Sequence, residues 1–169
     1  MSDAEPEILR DAEQATDERD EIVVGLDTSP AANAALRWAA EHARAVGVAL
    51  RAVTIVDWPT GMTSEGTPLM EAIGYLPNAE LIADYQQQVR DLFDAVQPEQ
   101  DWTLQFEMGR PGRVLVRESE SARLLVIGTG EYVGLGRILI GSTSHHCLSH
   151  AFCPVVGVPT RSSEDFPRG

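Results

Sequence analysis

The chain contains no lysine; all thirteen of its basic residues are arginine. That absence removes the phosphate-reaching lysine of a Walker loop and every mechanism that runs through a lysine Schiff base. Cysteine is scarce too. Cys147 and Cys153 are the two present, too few and too close for a secreted disulfide framework, so a reducing compartment is expected. No stretch approaches the ~18 apolar residues of a membrane span, and the acidic N-terminus has no apolar run of signal-peptide length. A cytoplasmic location follows as the expectation. Positive charge is in short supply as well: the formal net charge is -13, which repels nucleic-acid phosphates and anionic membrane surfaces. Neither nucleic acid nor membrane is expected as a partner, which leaves small ligands and other proteins.

What is present fits one domain. The 169 residues are enough to bury a core once but not twice, and 43% hydrophobic against 23% charged residues is an ordinary globular balance. Residues 1–20 hold eight acidic side chains against Arg10 and Arg19, with Ile8 and Leu9 the only sizeable apolar groups. A disordered acidic tail is expected there, then a domain over 21–160 and a short tail at 161–169.

From Glu21 the sequence alternates strand and helix signals. Residues 22–26 (IVVGL) form a short apolar run that stops at Asp27-Thr28-Ser29-Pro30, a buried strand meeting a helix cap. Ala32, Leu36, Ala39, Ala43 and Val46 then make one apolar helix face, ended by Gly47. Residues 48–56 are rich in β-branched side chains and read as a second buried strand. Residues 57–78 form a connection longer than compact domains normally use. Leu81, Tyr85, Val89, Leu92 and Val96 restore helical spacing up to Pro98. Trp102, Leu104 and Phe106 alternate with polar residues, as in an edge strand with one wet face. A short helix from Pro111 to Glu120, a strand at 124–127, a helix from Ser142 to about Ala151 and a strand at 154–158 complete the pattern. Five strands in alternation with helices predict an α/β fold, a parallel sheet covered on both faces. Ligands in such sheets sit at the carboxyl ends of the strands.

Two strand ends are chemically unusual. The first places Asp27, Thr28 and Ser29 where a ligand would lie. Asp27 suits a ribose hydroxyl or a water-bridged metal, and equally Asp27 or Ser29 suits capping the helix at Pro30. The second runs from Gly128 through Gly130, Gly134 and Gly136 to Gly141-Ser142-Thr143-Ser144 at a helix start. Glycines let backbone amides approach a phosphate, and the helix start adds orphan N–H groups and a dipole of the right sign. Without lysine, a phosphate site here would rest on amides, Ser142, Thr143 and Arg137 or a metal. Plain turning and helix capping account for the same composition. His145, His146, Cys147, His150 and Cys153 crowd one stretch, but their spacing fits no standard zinc pattern; helix-to-strand packing accounts for the cysteines.

The stretch from Gly128 to Ser142 resembles the nucleotide signature of universal stress proteins, Gly-x2-Gly-x9-Gly-Ser/Thr. The segment from His145 to Val158 resembles that family's closing helix and Pro-Val strand, and IVVGLDTSPAANAALRWAAEHA its first strand and helix. The second glycine of the signature falls on Glu131, with Gly130 beside it. The resemblance implies a Rossmann-like, adenine nucleotide alpha hydrolase-like sheet of order 3-2-1-4-5. It implies ATP or a related adenine nucleotide as ligand, with Mg2+ as its candidate companion. Gly25, Leu26 and Asp27 would line base and ribose, and Ile55 would lie on adenine or serve simply as core. Gly128, Gly130, Gly141, Ser142, Thr143 and Ser144 would hold the phosphates. It further implies a homodimer paired through Pro154 to Val158, an apolar edge strand that needs covering.

These readings predict a nucleotide-binding stress or signalling module, with slow ATP hydrolysis as the most enzymatic role and no catalytic residue assigned. The competing expectation is a dimeric interaction module of the same fold that binds no nucleotide. An ATP pyrophosphatase would show a Ser-Gly-Gly loop after the first strand, and a phospho-acceptor regulator would need a lysine. Neither is present.

Overall fold

The computed structural model describes residues 20–57, 79–130 and 141–160. The expected tails, most of the 57–78 connection, Glu131 and the rest of the Gly-rich loop through Arg137 to Ile140 lie outside the described residues.

Strand β1 (Glu21–Gly25) is buried at Ile22, Val23 and Val24, because helices cover both of its faces. Ser29 then starts helix α1 (Pro30–Val46): its hydroxyl accepts the Ala32 N–H at 3.1 Å, and Pro30 occupies the first turn, where a missing N–H costs nothing. Gly47 stops the helix in the left-handed conformation at φ 69°, its N–H donating to the Ala43 carbonyl. A side chain would be strained there. Strand β2 (Ala49–Val56) follows at once. Helix α2 (Ala79–Asp94), strand β3 (Thr103–Met108), helix α3 (Pro111–Glu118), strand β4 (Leu124–Thr129), helix α4 (Ser142–His150) and strand β5 (Val155–Pro159) complete the order.

The five strands form one parallel sheet, β3-β2-β1-β4-β5, as the family resemblance implied. On one face Ile22, Val24, Leu50, Ala52 and Val126 meet the alanine-rich side of α1 and Val89 and Phe93 of α2. On the other, Val23, Val53, Leu125 and Ile127 meet Val114 and Leu115 of α3 and Cys147 of α4. The small α1 residues let that helix lie close to the sheet. Gly128 completes the fit: a Cβ there would stand 2.5 Å from the Ala31 carbonyl carbon.

Two apolar positions assigned inward by periodicity point elsewhere. Val46 is 44% exposed at the rim of α1, where the chain turns at Gly47, and Leu81 is 62% exposed in the first turn of α2, before the helix reaches the sheet. Trp102 is buried just ahead of β3, while Thr103 and Gln105 are exposed on its wet face.

At the amino ends of the strands Arg51 is 8% exposed. Its guanidinium donates to Glu21 at 2.6 Å and 3.0 Å and to Glu118 of α3, and Arg117 donates to Glu118 from outside. Burial alone would lower the Arg51 pKa, but its hydrogen bonds to the two carboxylates outweigh that and raise it. Burial likewise works to raise the Glu118 pKa, and the bonds from Arg51 and Arg117 bring it below the usual value. The network ties β1, β2 and α3 together at the end of the sheet opposite the carboxyl ends of the strands. Among the described residues, no helix is long and apolar enough to cross a membrane.

Candidate functional site

The carboxyl ends of β1, β2 and β4 open into a cavity of about 140 Å³ lined by Gly25, Leu26, Asp27, Ser29, Ile55, Gly128, Thr143 and Ser144, with Pro111 and Leu115 from α3. This is where the sheet changes winding direction: β1 is flanked by β2 on one side and β4 on the other.

Each wall has a local cause. Asp27 is exposed and accepts the Ser29 N–H through Oδ1 at 2.8 Å. Its other carboxylate oxygen has no partner among the described residues. Of the alternatives read from the sequence, the capping one is seen: Ser29 makes the helix cap while Asp27 braces the turn. Gly25 lies against Leu115, whose Cδ1 would sit 3.0 Å from an added Cβ, so the floor is as low as the backbone permits. Ile55 is half-buried on the apolar wall. Tyr85 is near enough to feel Asp27: burial first, and then that carboxylate's charge, push its phenol pKa up.

Ser144, 4% exposed, donates its hydroxyl to the Gly128 carbonyl at 2.9 Å, joining the start of α4 to the end of β4. Its hydroxyl proton is thus committed to the fold. Thr143 reaches both this cavity and a neighbouring one of about 450 Å³, which Ser142 also lines together with Asp57, Arg110, Gly112, Arg113 and His146. Gly130 and Gly141 line neither. A Cβ at Gly141 would meet nothing within 4 Å among the described residues.

Ser29, one of the two hydroxyls expected at the end of β1, does line the cavity, whereas sequence reasoning missed Pro111, Leu115, Arg110 and Arg113. The signal was available: Gly109-Arg110-Pro111 stands at the carboxyl end of β3, the same sheet edge as the two strand ends singled out. The histidines do not converge on a metal. His146 and His150 stack with ring centroids 4.4 Å apart, and Cys147 is fully buried among apolar groups, which push its pKa up to about 11. Among the described residues, no group of three or more His, Cys, Asp or Glu side chains is placed to hold a metal ion.

Compared with known proteins, residues 18–159 match the universal stress protein family. A universal stress protein of Mycolicibacterium smegmatis is 31% identical over 144 residues, 81% of this chain and 47% of that protein. The chain belongs to the universal stress protein family. It spans about half the length of the curated relatives it matches. The universal stress protein UspA of Lactobacillus plantarum shares its fold, with a TM-score of 0.63 and 23% identity over 83% of this chain and 98% of that one. Two other universal stress proteins of this fold were solved with adenine nucleotides. One is in complex with cAMP (TM-score 0.54, 22% identity, 82% of this chain and 95% of that one), and one from Archaeoglobus fulgidus is in complex with dAMP (TM-score 0.52, 23% identity, 82% and 96%).

Proposed function

We propose that this universal stress protein binds an adenine nucleotide, ATP or a close relative, at the carboxyl edge of its sheet and acts as a stress-response or signalling module. The observation that carries the reading is the coincidence, among the described residues, of an apolar wall, a carboxylate oxygen without a partner and a helix N-terminus around one cavity. In this pose adenine lies on Ile55 beside Gly25 and Leu26, and the ribose hydroxyls donate to Asp27. The phosphates run over Gly128 and Gly130 toward Gly141, Ser142 and Thr143, taking up backbone N–H groups that the helix leaves unpaired. Ser144 supports the cradle from below. Solved family members with cAMP and dAMP make an adenine nucleotide the natural ligand class. A Mg2+ ion accompanying the nucleotide would shield the phosphates from the acidic chain; among the described residues, Asp27 and Asp57 are the carboxylates that line the two cavities.

Pairing of two copies through β5 is part of the same proposal. Val155, Val156 and Val158 are half-buried on an edge strand whose outer backbone a second copy would satisfy. The test is thermal denaturation with and without ATP. A ligand held at 100 times its dissociation constant raises stability by about 2.7 kcal/mol; an unmoved melting curve at millimolar ATP, ADP and AMP favours the interaction module that binds no nucleotide.

A further inference from the structure

The larger cavity has an unusual wall. Arg110 is the N-cap of α3 and makes no side-chain capping bond, and Arg113 follows in the first turn. Both are exposed and both line the cavity. A helix N-terminus carries a partial positive charge, so two cations there are electrostatically unfavourable, and they also repel each other. The rest of the chain offers ample relief: acids outnumber bases 26 to 13. Arg44 pairs with Glu99, Arg51 with Glu21 and Glu118, and Arg117 with Glu107 and Glu118. Arg110 and Arg113 form no ion pair among the described residues. The fold gains nothing visible from two cations in this position, and an anion in the cavity would reverse the sign of the interaction.

The cavity's location names the anion. Pro111 and Thr143 line both cavities, and Ser142 carries the second one to the N-terminus of α4, where the nucleotide's phosphates are placed above. His146 stands in the same wall, packed against Gly112. Among the described residues Asp57 is the one carboxylate in the lining, outnumbered by the two guanidinium groups. We propose that Arg110 and Arg113, with His146, form a subsite for the distal phosphates of the nucleotide, so that this chain selects a nucleoside triphosphate over a monophosphate. The inference rests on the adenine-nucleotide reading. A triphosphate tail offers more charge and more acceptor oxygens than a single phosphate, and planar guanidinium groups take such oxygens in pairs.

Titration calorimetry of the full chain with ATP, ADP and AMP tests it, repeated on the Arg110→Gln, Arg113→Gln double variant and on Arg123→Gln at the opposite edge of the sheet. Exposed side chains are exchanged in each, and circular dichroism melting checks that the variants fold. The expected result is ATP binding about ten- to a hundredfold tighter than AMP, this preference lost in the double variant with AMP affinity unchanged, and kept in Arg123→Gln. Equal affinity for ATP and AMP, or a double variant that keeps the preference, overturns the subsite while leaving the nucleotide reading intact. An Arg123→Gln loss as large as the double variant's also overturns it, since net charge alone would then explain the effect. Failure of all three nucleotides to bind the native chain overturns the reading and the subsite together.

Discussion

The Ser144 hydroxyl donates to the Gly128 carbonyl at 2.9 Å, so the first turn of α4 hangs from the last residues of β4. This one bond sets the distance between the strand end and the helix N-terminus that frames the proposed phosphate cradle. Ser144→Ala leaves the Gly128 carbonyl unpaired in a largely buried place and is expected to cost about 1–2 kcal/mol by urea denaturation. Nucleotide affinity should fall with it, because the helix start is no longer fixed.

Gly128 and Gly141 are both glycines of the signature, yet they should respond in opposite ways. An added Cβ at Gly128 meets the α1 backbone at 2.5 Å, whereas at Gly141 it meets open space among the described residues. Gly128→Ala is expected to destabilise by about 2 kcal/mol or more through forced separation of α1 from the sheet. Gly141→Ala should leave the urea midpoint unchanged and weaken ATP binding, by placing a methyl group where a phosphate would approach the amides.

The Arg51–Glu118 pair makes a prediction about acid. Glu118 titrates below its usual value when folded, so its contribution is complete above the unfolded pKa and is lost as pH falls through the lower folded one. Stability should therefore decline below about pH 4.5 more steeply in the native chain than in Glu118→Gln. At neutral pH that variant should be weaker by about 2 kcal/mol, because Arg51 loses a buried partner. Urea denaturation from pH 3 to 7 reads both effects.

Thr54 is fully buried on β2, and its hydroxyl has no hydrogen-bond partner among the described residues. Thr54→Val keeps the shape and removes an unsatisfied polar group, so it should raise stability by about 1 kcal/mol in the same assay.

The fold was legible because its signals were redundant. Ile22 to Val24 and Leu124 to Ile127 could hardly be anything but buried strands, and Ser29-Pro30 and Gly47 mark the ends of α1 independently of its apolar stripe. Val46 and Leu81 escaped because periodicity states which side of a helix a residue occupies, not whether anything lies opposite at the helix end. The site was half legible. Asp27 and the Gly128 region stand out by composition, and the structure brings Gly25, Leu26, Asp27, Ile55, Gly128, Thr143 and Ser144 around one cavity. Ser144's bond to a carbonyl sixteen residues away could not be read from spacing, nor could the packing of Gly128 against Ala31 be told from the phosphate role its signature position suggests. Arg110 and Arg113 went unnoticed because an arginine at a helix start is conspicuous only once the helix start is known.

The central claim is that main-chain amides between β4 and α4, without any lysine, hold the phosphates of an adenine nucleotide. Calorimetric titration of the purified full chain with ATP addresses it most directly. The account predicts saturable binding of about one nucleotide per chain that Gly141→Ala weakens without loss of stability. No heat at millimolar ATP, ADP or AMP, or binding indifferent to that methyl group, would contradict it.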